Sequence, residues 1–149
     1  MKPFRKILVP VDFSEHSAEA IRFAADLSRQ YEASVSIVHV YQPIEYALPE
    51  AFQGYSPKEL DRLLKELNTK VESTIQDAHA AGALKVDGRV LQGIVSSEIV
   101  RFAKDGLYDL IVMGTHGRSG ISRFLLGSTA EKVLRTAPCP VLSVRTAQA

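Results

Sequence analysis

The sequence predicts an α/β fold: a single-domain, open, five-stranded parallel sheet with helices on both faces. Three observations carry this. Five short apolar runs and four helical stripes alternate along 149 residues without a break. The first run, Ile7 to Val11, is continuously apolar, as in a strand covered on both faces. No linker or internal repeat interrupts the alternation, so residues 1–149 read as one domain. A strictly alternating β-α order predicts parallel strands, because each crossover must pack its helix against the sheet.

Ile7-Leu8-Val9-Pro10-Val11 is the first run. A helix begins at Phe13-Ser14-Glu15, with Ser14 as N-cap and Glu15 placing negative charge at the positive dipole end. Ala20, Ala24, Leu27 and Tyr31 give its apolar stripe. Ser34 to Val40 is the second strand. The segment Tyr41 to Pro57 lacks periodicity and reads as a loop, either a lid or partner surface or a plain connection beside the next helix.

Lys58 to Ala81 is the longest helix. Leu60, Leu63, Leu64, Leu67, Val71, Ile75 and Ala78 mark its buried face, Asp61–Lys65 and Glu66–Lys70 are outward i,i+4 pairs, and Gly82 stops it. Val86 to Leu91 is a third strand, and a short helix runs from about Ser97 to Lys104. Asp109 to Met113 is the fourth strand, Ser128 to Arg135 the last helix, and Pro140 to Arg145 the last strand.

Composition excludes several function classes. Eighteen Lys+Arg against seventeen Asp+Glu leave a net charge of +1, which argues against a nucleic-acid binder or a polybasic membrane clamp. No apolar run approaches the ~20 residues of a membrane helix. Pro10 and Asp12 interrupt the first apolar run too early for a signal peptide. The single cysteine, Cys139, forms no internal disulfide and reads as a small buried hydrophobe. A cytoplasmic location fits these features. The four histidines, His16, His39, His79 and His116, show no metal-ligand spacing. His39 reads equally as a flank of the site or as a satisfied strand histidine, and His79 as exposed near a helix end.

One segment departs from the average. Four of the nine glycines, Gly114, Gly117, Gly120 and Gly127, fall within fourteen residues, and no acid occurs from Leu110 to Ala130, although Arg118 and Arg123 do. Glycine lets backbone approach a ligand, and successive N–H groups in such a turn form an anion nest. Gly127-Ser128-Thr129 then opens a helix, whose free N–H groups attract phosphate, with two hydroxyls beside them. A strand, a glycine loop and a helix N-terminus together predict a polyphosphate cradle. The plainer alternative is a surface loop followed by a Ser-capped helix. Neither G-x-x-x-x-G-K-[ST] nor G-x-G-x-x-G is present, so a P-loop ATPase and a Rossmann dehydrogenase are poor readings.

The spacing Gly114-x2-Gly117-x9-Gly127-Ser128 resembles the nucleotide-binding signature of the universal stress protein family. Ile7 to Ser14, Asp109 to Gly114 and Ala137 to Leu142 resemble that family's first strand, later strand and closing segment. The resemblance spans essentially the whole chain. It implies strand order 3-2-1-4-5, a homodimer, and the branch of the family that binds ATP or a related AMP or ADP. It places Asp12, beside Pro10 and Val11, at the ribose or adenine edge, and the Val40 backbone at adenine. Met113, Gly114, Thr115, His116 and Gly117 then match the ribose-phosphate loop. Leu125, Gly127, Ser128 and Thr129 match the second half of the cradle. No role for Arg118 or Arg123 carries over.

The expected function is an ATP-dependent switch in stress adaptation, with an unidentified protein as its partner. Mg²⁺ is expected on the phosphates, because polyphosphate is normally presented with a hard cation. The alternatives are a slow ATPase, with Asp12, His116, Arg118 and Arg123 as the nearby groups, and a nucleotide-free interaction module. The last strand ends one edge of the sheet, and the expected dimer pairs Val141, Leu142 and Val144 with their copies.

Overall fold

The computed structural model describes residues 3–43, 54–116 and 126–146. Along them run β1 (Lys6–Pro10), α1 (Glu15–Tyr31), β2 (Ser34–Tyr41), α2 (Pro57–Ala80), β3 (Val86–Gln92), α3 (Val95–Asp105), β4 (Leu110–Gly114), α4 (Ser128–Thr136) and β5 (Val141–Val144). The five strands form one parallel sheet in the order β3-β2-β1-β4-β5, as expected. Strand order therefore reverses between β1 and β4, where Ile7 pairs with Leu110.

The period-2 geometry of a strand sorts the apolar runs onto two faces. Ile7, Val9, Leu110 and Val112 pack on one side with Ala20 and Ala24 of α1 and Val71 and Ile75 of α2. Leu8, Ile111 and Met113 pack on the other with Ile99 and Ala103 of α3 and Val133 of α4. Both faces are covered, so β1 and β4 read as continuous hydrophobic runs.

Several expected boundaries shift for identifiable reasons. Asp109 precedes β4, because its carboxylate is used to accept the N–H groups of Arg5 (2.8 Å) and Lys6 (2.9 Å), tying the starts of β4 and β1 together. Pro140 has no N–H to give, and β5 begins after it, although its carbonyl accepts the Ile111 N–H at 3.0 Å. The third helix starts at Val95, two residues before the predicted start, with Ile94 as an N-cap that makes no side-chain bond. In α2 the buried face is confined to Leu67, Val71, Ile75 and Ala78, while Leu60, Leu63 and Leu64 are half-buried.

Two further expectations need correction. The Asp61–Lys65 pair forms at 3.2 Å, but Lys70 lies over the Phe13 ring, 5.5 Å from its centroid, instead of pairing with Glu66. Cys139 is half-buried against the α3–α4 side of the core, not fully buried, and that burial, with Asp109 nearby, pushes its thiol above the usual range. The exposed His79 fits expectation, and its Nδ1 bonds the Ala83 carbonyl at 2.9 Å. Among the described residues no helix is long and apolar enough to cross a membrane.

Candidate functional site

In an open parallel sheet the crevice beyond the carboxyl ends of the strands, where order reverses, is the expected ligand position. Here β2, β1 and β4 end side by side at Tyr41, Pro10 and Gly114. A cavity of about 380 Å³ lies there, within the size range of small-molecule sites.

One wall is the turn between β1 and α1. The Val11 N–H donates to the Val38 carbonyl at 2.8 Å, and His39 Nδ1 meets the Val11 carbonyl, also at 2.8 Å. The Asp12 N–H donates to Ser17 Oγ at 2.9 Å, and the Ser17 hydroxyl returns a bond to Asp12 Oδ1 at 2.6 Å. Asp12 Oδ1 also accepts the Ser14 N–H at 3.0 Å. Ser14 Oγ in turn accepts the Ser17 N–H, so α1 is N-capped as predicted. Phe13 takes a left-handed φ of 65°, which a bulky residue adopts only when its surroundings hold it there. Its ring packs on His39, with centroids 4.5 Å apart.

The opposite wall joins β4 to α4. Thr115 is buried, and its N–H donates to the Val144 carbonyl at 3.0 Å. The Gly127 N–H donates to the Thr115 carbonyl at 2.7 Å, tying the start of α4 to the end of β4. A Cβ on Gly127 would stand 2.9 Å from that same carbonyl oxygen, so a side chain there displaces backbone. Gly127 is the N-cap of α4, and among the described residues no side chain caps this helix. The alternative of a Ser-capped helix therefore does not hold, since Ser128 is the first helical residue. The first intrahelical bond is Glu131 N–H to the Gly127 carbonyl, at 2.9 Å. The N–H groups of Ser128, Thr129 and Ala130 have no intrahelical acceptor. Glu131, the acid of this first turn, pairs with Arg135 at 2.8 Å.

Gly114 has a different reason to be glycine from the one the loop reading assigned. A Cβ there would lie 2.7 Å from His16 Cβ and 3.0 Å from its carbonyl carbon. Close packing of α1 on the end of β4 excludes a side chain. Gly114 still borders the cavity.

Pro10, Val11, Asp12, Val40, Met113, Gly114, Thr115, His116, Gly127, Ser128 and Thr129 all line this one cavity. Gly117 and Leu125 lie outside the described residues, as do Arg118, Gly120 and Arg123. Ser17, Val38, Val95, Ile99 and Ala130 line it too, and sequence reasoning missed them. His39 also lines it, so both readings of that residue hold together. Among the described residues no group of three potential ligands that could hold a metal ion occurs.

A cavity at the switch point, with an uncapped helix N-terminus on one side and a carboxylate on the other, places this chain among known proteins. The universal stress protein family matches residues 3–145. This chain belongs to the universal stress protein family. Universal stress protein MJ0531 of Methanocaldococcus jannaschii is 36% identical over 143 residues, covering 95% of this chain and 82% of that one. The solved structure of MJ0577 from the same organism superposes with a TM-score of 0.83 at 30% identity, covering 99% of this chain and all of the other. A universal stress protein solved in complex with cAMP superposes with a TM-score of 0.74 at 25% identity, covering 98% of this chain and all of that one. These matches establish family and fold together, since they run through every strand of the sheet.

Proposed function

We propose that this universal stress protein binds ATP in the cavity between β1 and β4 and acts as a nucleotide-dependent switch. The observation that carries the reading is the N-terminus of α4. It opens without a side-chain cap into a cavity whose other wall presents Asp12. Three N–H groups without an intrahelical acceptor, the positive dipole end and the hydroxyls of Ser128 and Thr129 suit a phosphate chain. Asp12 is placed to accept ribose hydroxyls. The apolar side chains of Val38, Val40, Val95, Ile99 and Met113 suit a flat base, with the Val40 backbone at its edge. A related protein that binds cAMP supports an adenine nucleotide as the ligand class.

Gly117 and Leu125 complete the cradle in this reading. Mg²⁺ arrives on the phosphates and needs few ligands from the chain. The output is a change in what the protein contacts rather than turnover, because hydrolysis requires a group that positions water. His116 Nδ1 is engaged with Thr115 Oγ1 at 3.0 Å, and in this reading the Asp12 carboxylate is used by the ribose. The test is to denature the purified protein and identify released nucleotide by chromatography, then to titrate the stripped protein with ATP. ATP or ADP in the released fraction and saturable rebinding are expected. A chain that carries none and binds none overturns the reading.

The switch works as a homodimer joined along β5. That strand is an edge of the sheet, and Leu142 and Leu134 beside it are exposed. Unpaired edges invite pairing, and two-fold closure satisfies both copies. Val144 faces the core, so it contributes backbone rather than side chain. Sedimentation at micromolar concentration is expected to give a dimer, and a monodisperse monomer defeats this arrangement.

A further inference from the structure

We propose that His39 is a positioning residue that makes the site selective for ribose, by holding the Asp12 turn from the neighbouring strand. The proposal rests on the nucleotide reading above and adds to it a residue with a defined task.

The geometry is specific. A carbonyl oxygen only accepts, so the 2.8 Å contact to Val11 requires His39 Nδ1 to carry the hydrogen. The Val11 N–H is bonded to Val38. Strand β2 therefore grips both polar backbone atoms of the residue before Asp12, one through its backbone and one through a side chain. On the other side of Asp12, the Phe13 ring stacks on the same imidazole at 4.5 Å, tilted by 31°. Lys70 of α2 lies over that Phe13 ring as well.

The residue so held is the one with a left-handed φ of 65°, a conformation that needs outside support. Ser14 and Ser17 orient the Asp12 carboxylate from the N-cap and first turn of α1. His39 adds a side-chain contact from β2 to the backbone bond that ties the turn to the sheet. His39 also borders the cavity, between Val38 and Val40. A hydroxyl–carboxylate hydrogen bond loses strength with small displacement, so the register of the turn sets how much the ribose hydroxyls contribute.

Two substitutions separate the parts of the device. His39→Asn keeps an N–H near the position of Nδ1 and loses the ring. His39→Phe keeps a ring against Phe13 and loses the donor. The probes are ATP and dideoxy-ATP, which lacks both ribose hydroxyls, titrated against stripped protein. The wild type is expected to favour ATP about tenfold, the worth of one good hydrogen bond to a charged group. His39→Phe is expected to bring the two affinities within about twofold, while His39→Asn retains most of the preference. Nitrogen-15 NMR of the nucleotide-free wild type is expected to report His39 protonated at Nδ1.

An undiminished preference in His39→Phe, or a His39 protonated only at Nε2, overturns the proposal. A wild type that binds both nucleotides equally leaves the nucleotide reading standing and removes the ribose role. A wild type that binds neither defeats the nucleotide reading and the ribose role with it, whatever the tautomer.

Discussion

Two helices begin at the same crevice and are finished in opposite ways. The N-terminus of α1 is closed by its own sequence: Ser14 caps it, and Asp12 Oδ1 takes a further N–H and the Ser17 hydroxyl. The N-terminus of α4 is capped by Gly127, which has no side chain to offer. One wall of the cavity is satisfied internally, and among the described residues the other opens with N–H groups that have no intrahelical acceptor. The difference separates shape from affinity. Groups that already bond within the protein mainly fix where a ligand sits and add selectivity, and helix N–H groups without an intrahelical acceptor supply most of the binding energy, because little must be broken to use them.

The largest expected effect comes from spoiling the open wall. Gly127 has φ −59° and ψ 150°, angles open to any residue, so strain is not the reason for glycine. The reason is the Thr115 carbonyl, 2.9 Å from where a Cβ would be. Gly127→Val pushes the start of α4 away from the end of β4. Overpacking of this kind costs about 1–3 kcal/mol, and at least about tenfold in ATP affinity is expected to go with it. Isothermal titration measures the affinity, and circular dichroism checks that the fold persists. A variant that is folded and binds ATP normally breaks the comparison, because the open wall would then be irrelevant to binding.

What was legible in the sequence follows the same division. The β-α alternation and the buried runs of β1 and β4 could be read because a strand covered on both faces has a distinctive composition. The N-cap at Ser14 was legible because the cap is local. The candidate site was legible where a motif is contiguous, as in Gly127-Ser128-Thr129, and where family resemblance marked positions such as Asp12 and Val40. Contacts between segments distant in sequence were not. The clash that makes Gly114 a glycine involves His16, nearly a hundred residues earlier, and only the packing of α1 on β4 reveals it. Val95 and Ile99 carry an ordinary helical i,i+4 spacing, and nothing in it says that they border the cavity rather than the core alone. Ser17 bonds both the backbone and the carboxylate of Asp12 because Phe13 reverses the chain with a positive φ, a conformation no propensity rule assigns to phenylalanine.

The smaller effects are the sharper test, because two serines of similar chemistry sit on the two walls. Ser17 is buried, and its hydroxyl serves two partners within the protein. Ser17→Ala leaves the Asp12 N–H and carboxylate short of a bond each, so it is expected to lower stability by about 1–3 kcal/mol. Its effect on ATP affinity follows indirectly, from a less well-held Asp12. Ser128 is exposed at the first position of α4 and caps nothing. Ser128→Ala is expected to leave stability within about 0.5 kcal/mol of wild type, as exposed substitutions do. Its cost appears in affinity, at about threefold to tenfold, the worth of one hydrogen bond to a charged phosphate. Denaturant unfolding and ATP titration on both variants give four numbers. Stability should separate the pair in one direction and affinity-without-instability in the other. If Ser128→Ala destabilises the fold as much as Ser17→Ala, α4 is not an open end, because its first hydroxyl would then be doing structural work. If Ser128→Ala changes neither quantity, the first N–H groups of α4 are not where the phosphates lie.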